Sequence, residues 1–292
     1  MNKKYNVISY FILLTYALIT LFPFLWATLV SLVPINYVDE FGVKRGVDIF
    51  KWPPHIILFP RPMAFGAPLT LQNYKLIFEV VPFLRRWFFN TIMYAGILTV
   101  GNVFLNTLSG YAFARLRFPF KNLIFILFLA SLMVPGQVTL IPLYNMLVRY
   151  NLINTYVGLY LPKIATIFGL FFMRQFFLTF PRELEEAARI DGSGILRTFF
   201  TIVLPNAKPA MSALGIYTFL GAWNDFMWPL IVTSSKEMFT LTMGLNFFRS
   251  SYYVYWQYMM AASLLMTIPM IVIFLIFQKQ FIETGKATAI KG

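Results

Sequence analysis

The sequence has no cysteine and a single histidine, His55. Disulfides are therefore excluded, as are the usual metal sites built from Cys and His clusters. Charge is also scarce, at 12% of 292 residues against roughly 25% in soluble domains. Acidic residues are the rarer kind, 11 Asp+Glu against 24 Lys+Arg, for a net charge of +13. The chain has no glycine-rich phosphate loop, so it carries no ATPase of its own. It has no nucleophile–base constellation and no repeated selectivity sequence, which argues against a membrane enzyme or a self-sufficient channel. No catalytic residue, cofactor or metal is expected.

The positive excess does not point to nucleic acid. Its residues are scattered among loops, with no basic helix or aromatic–basic strand to read a groove. Anionic lipid and the positive-inside bias account for it better.

What the chain has in abundance is apolar sequence: 59% hydrophobic residues and a mean hydropathy of +0.70. This predicts an all-α polytopic membrane protein. Residues 1–33 read as a tail with Lys3 and Lys4 and a first span, Tyr10–Val33, too long and too poorly flanked for a cleaved signal peptide. Residues 34–87 form a long extramembrane loop rich in proline and aromatics, in which His55 has no clustered partners. Five further spans are predicted near Phe88–Phe113, Asn122–Leu147, Tyr156–Leu178, Ala210–Val232 and Tyr258–Phe277, within a core of residues 88–282. Six transmembrane helices put both termini on one side, and the short basic loops favour the cytoplasm. Residues 283–292 then form a cytoplasmic tail.

Polar groups inside the spans are few, so each is informative. Ala95, Thr99, Asn102, Asn106 and Ser109 form one small-and-polar stripe on the second span. It either lines a path or packs against another helix. Gln137 follows Val134-Pro135-Gly136 in the third span and is a candidate path residue, as are Tyr217 and Asn224 in the fifth. Asp225 is the only acidic residue inside a predicted span and Lys163 the only lysine. Each lies about seven residues, or roughly 10 Å, from the outer end of its helix, so the two are placed to pair. An intramembrane carboxylate is functional by default, or else half of a structural ion pair. Prolines 135, 142, 162, 229 and 269 predict kinks.

The longest polar interruption in the C-terminal two-thirds is residues 179–209. Pro181 opens a helix with Glu183, Glu185 and Glu186 near its positive end, and Glu185 precedes Arg189 by four in the favourable order. Asp191-Gly192 should stop it, Ser193 should cap a second helix Ile195–Leu204, and Pro205 should end that one. The alternative is an ordinary amphipathic connector on the membrane surface.

Glu186-Ala187-Ala188, three residues, Gly192, nine residues and then Ile202-Val203-Leu204-Pro205 resembles the EAA loop of binding-protein-dependent ABC importer permeases. Ala222-Trp223-Asn224-Asp225-Phe226-Met227-Trp228-Pro229-Leu230, Phe239-Thr240-Leu241-Thr242-Met243-Gly244-Leu245 and Ala289-Ile290-Lys291-Gly292 are similar to the carbohydrate importers, in particular the smaller maltose-type permease. The resemblance covers about residues 70–292, a five-span permease core, although Glu283–Ala287 departs from the glycine-rich tail of that group.

The resemblance implies a heterodimer with a second homologous permease and a cytoplasmic ATPase dimer. It also implies an extracytoplasmic solute-binding protein that delivers a sugar, with this chain in the cytoplasmic (inner) membrane. Glu185, Glu186, Ala187, Ala188, Asp191, Gly192, Leu204 and Pro205 would then belong to the ATPase-coupling loop. The loop Thr233–Gln257 would reach the binding protein, with Asn246, Phe247, Tyr252 and Tyr253 as contacts. Most of its aromatics are expected to belong to the interfacial belt, the alternative being stacking on sugar rings. Permeases for a polyamine or peptide share the EAA loop and remain the alternative.

Overall fold

A chain whose apolar stretches are punctuated by proline should form interrupted helices, and it does. The structure, a computed structural model, describes residues 3–32, 70–248 and 256–289. Its α-helices are α1 (Lys3–Ser31), α2 (Gln72–Val80), α3 (Leu84–Arg115), α4 (Lys121–Ser131), α5 (Gly136–Arg149), α6 (Tyr156–Tyr160) and α7 (Ile167–Thr179). They continue with α8 (Arg182–Ile190), α9 (Ile195–Thr198), α10 (Leu204–Asn206), α11 (Lys208–Trp223), α12 (Met227–Val232), α13 (Leu241–Gly244) and α14 (Trp256–Ala289).

Among the described residues, four stretches are long and apolar enough to cross a membrane: Ser9–Ser31, Leu84–Arg115, Tyr156–Thr179 and Trp256–Ile276. The expected third span is a bent pair, α4 and α5 meeting at 100°, and counting it as one crossing makes five. Pro135 explains the break. It sits as the N-cap of α5 with extended ψ, because its ring removes a backbone donor and excludes helix at the residue before it. The expected fifth span is not one helix either. It divides into α11 and α12 around Asn224–Phe226, and neither piece is long enough to cross alone. The fourth is interrupted by a 3-10 turn at Leu161–Lys163 that contains Pro162.

The chain forms two units: the described parts of Met1–Arg85 with Met243–Pro269, and those of Arg86–Thr242 with Met270–Gly292. In the first unit, the end of α1 is tied to the start of α2. Ser31 Oγ lies 2.7 Å from Tyr74 Oη, and Asn73 Nδ2 donates to the Ser31 carbonyl at 2.7 Å. His55 and most of the expected 34–87 loop lie outside the described residues.

In the second unit, α3 is the central post. Near its start, Trp87 Nε1 donates to the Lys236 carbonyl at 2.6 Å and Asn90 Nδ2 to those of Glu237 and Phe239 at 2.7 and 2.9 Å. Thr91 Oγ1 accepts from the Leu241 amide at 2.8 Å. These bonds satisfy the irregular backbone after α12, which apolar surroundings would otherwise penalise. Further along, the polar stripe packs on α7 at Gly169, where an added Cβ would lie 2.3 Å from Asn106 Nδ2. A close approach through glycine is how membrane helices gain contact area. At the other end a cluster of Tyr111, Ala114, Met173, Phe177, Phe199, Val203, Ala207, Ala210 and Leu214 joins α3, α7 and the helical run through α11.

Candidate functional site

The polar loop folds as two helical pieces at the end of α7. Pro181 is the N-cap of α8, with Glu183 and Glu185 in the first turn and Arg189 in the last, complementing the helix dipole at both ends. Asp191 is the C-cap, and Gly192 takes φ +78°. The Gly192 amide bonds the Arg189 carbonyl at 3.0 Å and the Ser193 amide the Ala188 carbonyl at 2.9 Å. This is a Schellman termination. It uses the Ser193 backbone, so Ser193 does not cap the next helix as expected; Gly194 occupies that position without a side-chain cap.

Pro205 does not end the second helix either. The chain widens into a π turn at Phe199–Val203, and Pro205 sits in the first turn of α10. A proline ring crowds the carbonyl four residues earlier, and a π turn relieves that crowding without breaking the helix. Asn206 Nδ2 donates to the Ile202 carbonyl at 2.7 Å, and the run passes nearly unbroken into α11.

The two faces of α8 differ sharply. Glu183, Glu186, Ala187, Arg189 and Ile190 are exposed, as are Asp191, Gly192 and Pro205, while Leu204 is partly buried. Ile190 is 87% exposed and Leu196, beyond the turn, 72%. Glu185 and Ala188 are buried instead. Glu185 does not pair with Arg189 as expected. Its Oε1 lies 2.7 Å from Arg115 Nε, and its Oε2 accepts from Tyr111 Oη at 3.0 Å. Arg115 also donates through Nη2 to the Phe180 carbonyl. The reason is burial: a carboxylate turned toward α3 needs a partner there, whereas Arg189 stays in solvent. Sequence reasoning missed Arg115 and Tyr111. Their signal was a tyrosine and an arginine four apart at the end of an apolar helix.

The polar groups of the spans fall into three sets. Asn102 and Asn106 are buried between helices: Asn106 Nδ2 donates to Asn102 Oδ1 at 2.8 Å, Asn102 Nδ2 to Thr166 Oγ1 at 3.2 Å, and Thr218 Oγ1 to Asn102 Oδ1 at 3.3 Å. Gln137, Tyr217 and Asn224 are exposed. Asp225 sits in the break between α11 and α12. Its Oδ2 accepts from Lys163 Nζ at 2.6 Å and Tyr94 Oη at 2.8 Å, and its Oδ1 from the Trp228 amide at 3.3 Å. Lys163 Nζ also lies 5.6 Å from the Trp228 ring, a cation–π distance. Among the expected binding-protein contacts, Asn246 is exposed; Phe247 lies in a 3-10 turn, and Tyr252 and Tyr253 fall outside the described residues.

A family model described as "Binding-protein-dependent transport system inner membrane component" matches residues 104–283, a range that takes in both the loop and Asp225. The chain belongs to this family of ABC importer permeases. Relatives of the permease agree along nearly its whole length. It is 36% identical over 276 residues to the arabinooligosaccharides transport system permease protein AraQ of Bacillus subtilis (strain 168), covering 94% of this chain and 92% of AraQ. It is 37% identical over 271 residues to the sn-glycerol-3-phosphate transport system permease protein UgpE of Yersinia enterocolitica, covering 82% of this chain and 96% of UgpE. Among solved structures it resembles a chain from the crystal structure of a bacterial ABC transporter involved in the import of the acidic polysaccharide alginate. The TM-score is 0.76 at 17% identity, with 96% of this chain and 98% of that one covered, which establishes a shared fold.

Proposed function

We propose that this permease is a transmembrane subunit of an ATP-driven, binding-protein-dependent importer of a sugar, an oligosaccharide in preference to a monosaccharide. Residues 179–209 serve as its ATPase-coupling loop. The observation that carries the reading is the exposed face of α8, where Glu186, Ala187 and Ile190, like Leu196 beyond the turn, stand uncovered among the described residues. A charged helix rimmed by bare isoleucine and leucine suits a protein cleft better than water. The likeness to AraQ favours an oligosaccharide, and the likeness to UgpE keeps a phosphorylated polyol as the second reading.

On this reading the bent pair α4–α5 is one crossing and α11–α12 another. That gives six, with both termini and the coupling loop in the cytoplasm. A second, homologous permease completes the cavity, to which Gln137, Tyr217 and Asn224 contribute exposed polar groups. A binding protein docks on the opposite side near Asn246. ATPase closure pushes α8 and switches the bundle between its two openings.

The test is co-purification through a tag on this chain. The native chain should bring down a second permease and an ATPase, and Glu186→Ala should lose the ATPase or the coupled transport. A chain that purifies alone, and that Glu186→Ala leaves unchanged, would refute the coupling loop.

A further inference from the structure

We propose that Arg115 and Tyr111 are positioning residues that lock α8 to α3, making the loop helix a rigid extension of that membrane helix. The proposal rests on the reading of residues 179–209 as the coupling loop.

The cost of the arrangement is the first argument. This chain has 11 acidic residues, and it buries one of them, Glu185, against a guanidinium whose side chain is only 5% exposed. Buried ion pairs are weak contributors to stability, and their best-attested use is to fix one element's register on another. The neighbouring Glu183 and Glu186 stay in solvent, so α8 is oriented by a single inward carboxylate.

Geometry supplies the second. Tyr111 and Arg115 stand four apart on one face of α3, so both oxygens of Glu185 are held from successive turns of one rigid helix. Arg115 also holds the Phe180 carbonyl, one residue before Pro181. The loop is thereby gripped at its entry and on its inner face, which removes the pivot that Pro181 would otherwise provide. The Tyr111 ring packs edge-on to Phe177 at 5.6 Å and lies 4.9 Å from Phe199, so it touches α7 just before the loop and the π turn within it. Lys121 Nζ closes the end of α3 by donating to the Leu116 carbonyl at 2.8 Å. The turn that presents Arg115 is therefore itself secured. A load applied to the exposed face of α8 reaches the membrane through α3.

The experiment uses the complete importer, with partner permease, ATPase and binding protein, reconstituted in liposomes. The variants are Arg115→Met with Glu185→Gln, which removes both charges together, Tyr111→Phe, and Glu186→Ala. ATPase association and ATP hydrolysed per solute imported are read for each. The double variant should keep the ATPase bound and raise the ratio about tenfold, equivalent to ~1.4 kcal/mol of lost coupling. Tyr111→Phe keeps the ring and should raise the ratio about threefold. Wild-type ratios in both overturn the anchor, as does loss of the ATPase from them, which would assign these residues to the docking surface. If the double variant does not accumulate, Tyr111→Phe decides alone, and an unchanged ratio overturns the anchor. Glu186→Ala separates the two ideas. If it loses the ATPase while the anchor variants couple normally, only the anchor falls; if it changes nothing, the coupling-loop reading falls.

Discussion

Replacing Gly169 with alanine pits helix propensity against packing, and the structure says which wins. Alanine in a helix interior is favoured over glycine by about 1 kcal/mol. At this position the new methyl would sit 2.3 Å from Asn106 Nδ2, 2.8 Å from its Cγ and 2.9 Å from Asn102 Oδ1. Neither amide can yield easily, because both residues are buried, at 2% and 0% exposure, and bonded to each other at 2.8 Å. Overpacking of this kind costs about 1–3 kcal/mol. The bonds linking Asn102 to Asn106, Thr166 and Thr218 are worth roughly 0.6 kcal/mol each in a bilayer. Packing wins, with a net loss of about 1–3 kcal/mol. The assay is the thermal midpoint of the purified chain in detergent, where a fall of roughly 3–10 °C is expected. Gly96→Ala is the control. Gly96 lies on α3, the helix that carries both asparagines, with nothing within 4 Å of a built Cβ, so its substitution should be neutral or stabilising. Asn106→Ala, added to Gly169→Ala, should recover part of the loss. A Gly169→Ala chain as stable as the native one, or a loss equal to that of Gly96→Ala, would refute the packing argument.

Lys163→Met should destabilise the chain by about 1–2 kcal/mol, less than the ~3–5 of a fully buried pair, because the lysine side chain is 37% exposed. Adding Asp225→Asn should restore stability in the same thermal assay, since it removes the stranded charge; a double variant worse than Lys163→Met alone would contradict this. Phe120 holds φ 58° at the N-cap of α4, a conformation that disfavours a bulky side chain. Phe120→Gly should therefore raise stability by about 1 kcal/mol, and a lower thermal midpoint would show that the exposed ring makes a contact of its own.

The protein's class and the positions of its interior polar groups are legible in the amino-acid pattern. Hydropathy alone places α1, α3 and α14, since a helix that meets lipid must be apolar over its crossing whatever it packs against. The first half of the spaced pattern, Glu186 to Gly192, lies in α8 and the turn after it because its glycine is required by backbone geometry: Gly192 accepts φ +78° cheaply, so the helix ends there. The pairing of Lys163 with Asp225 is legible in the same way, since a lone lysine and a lone carboxylate at equal depth have few other ways to be satisfied.

Tertiary structure decided the rest. A hydropathy window averages over Pro135 and over Asn224–Phe226, so it cannot see that the third apolar stretch turns through 100° or that the fifth divides into α11 and α12. Whether Glu185 faces Arg189 or Arg115 is equally invisible locally, because i,i+4 spacing permits the first and only the approach of α3 creates the second. The same holds for the asparagine stripe, which the period of α3 aligns but which becomes a packed interface through Gly169 on another helix. Periodicity fixes which residues share a face; which neighbour that face meets is set by contacts distant in sequence.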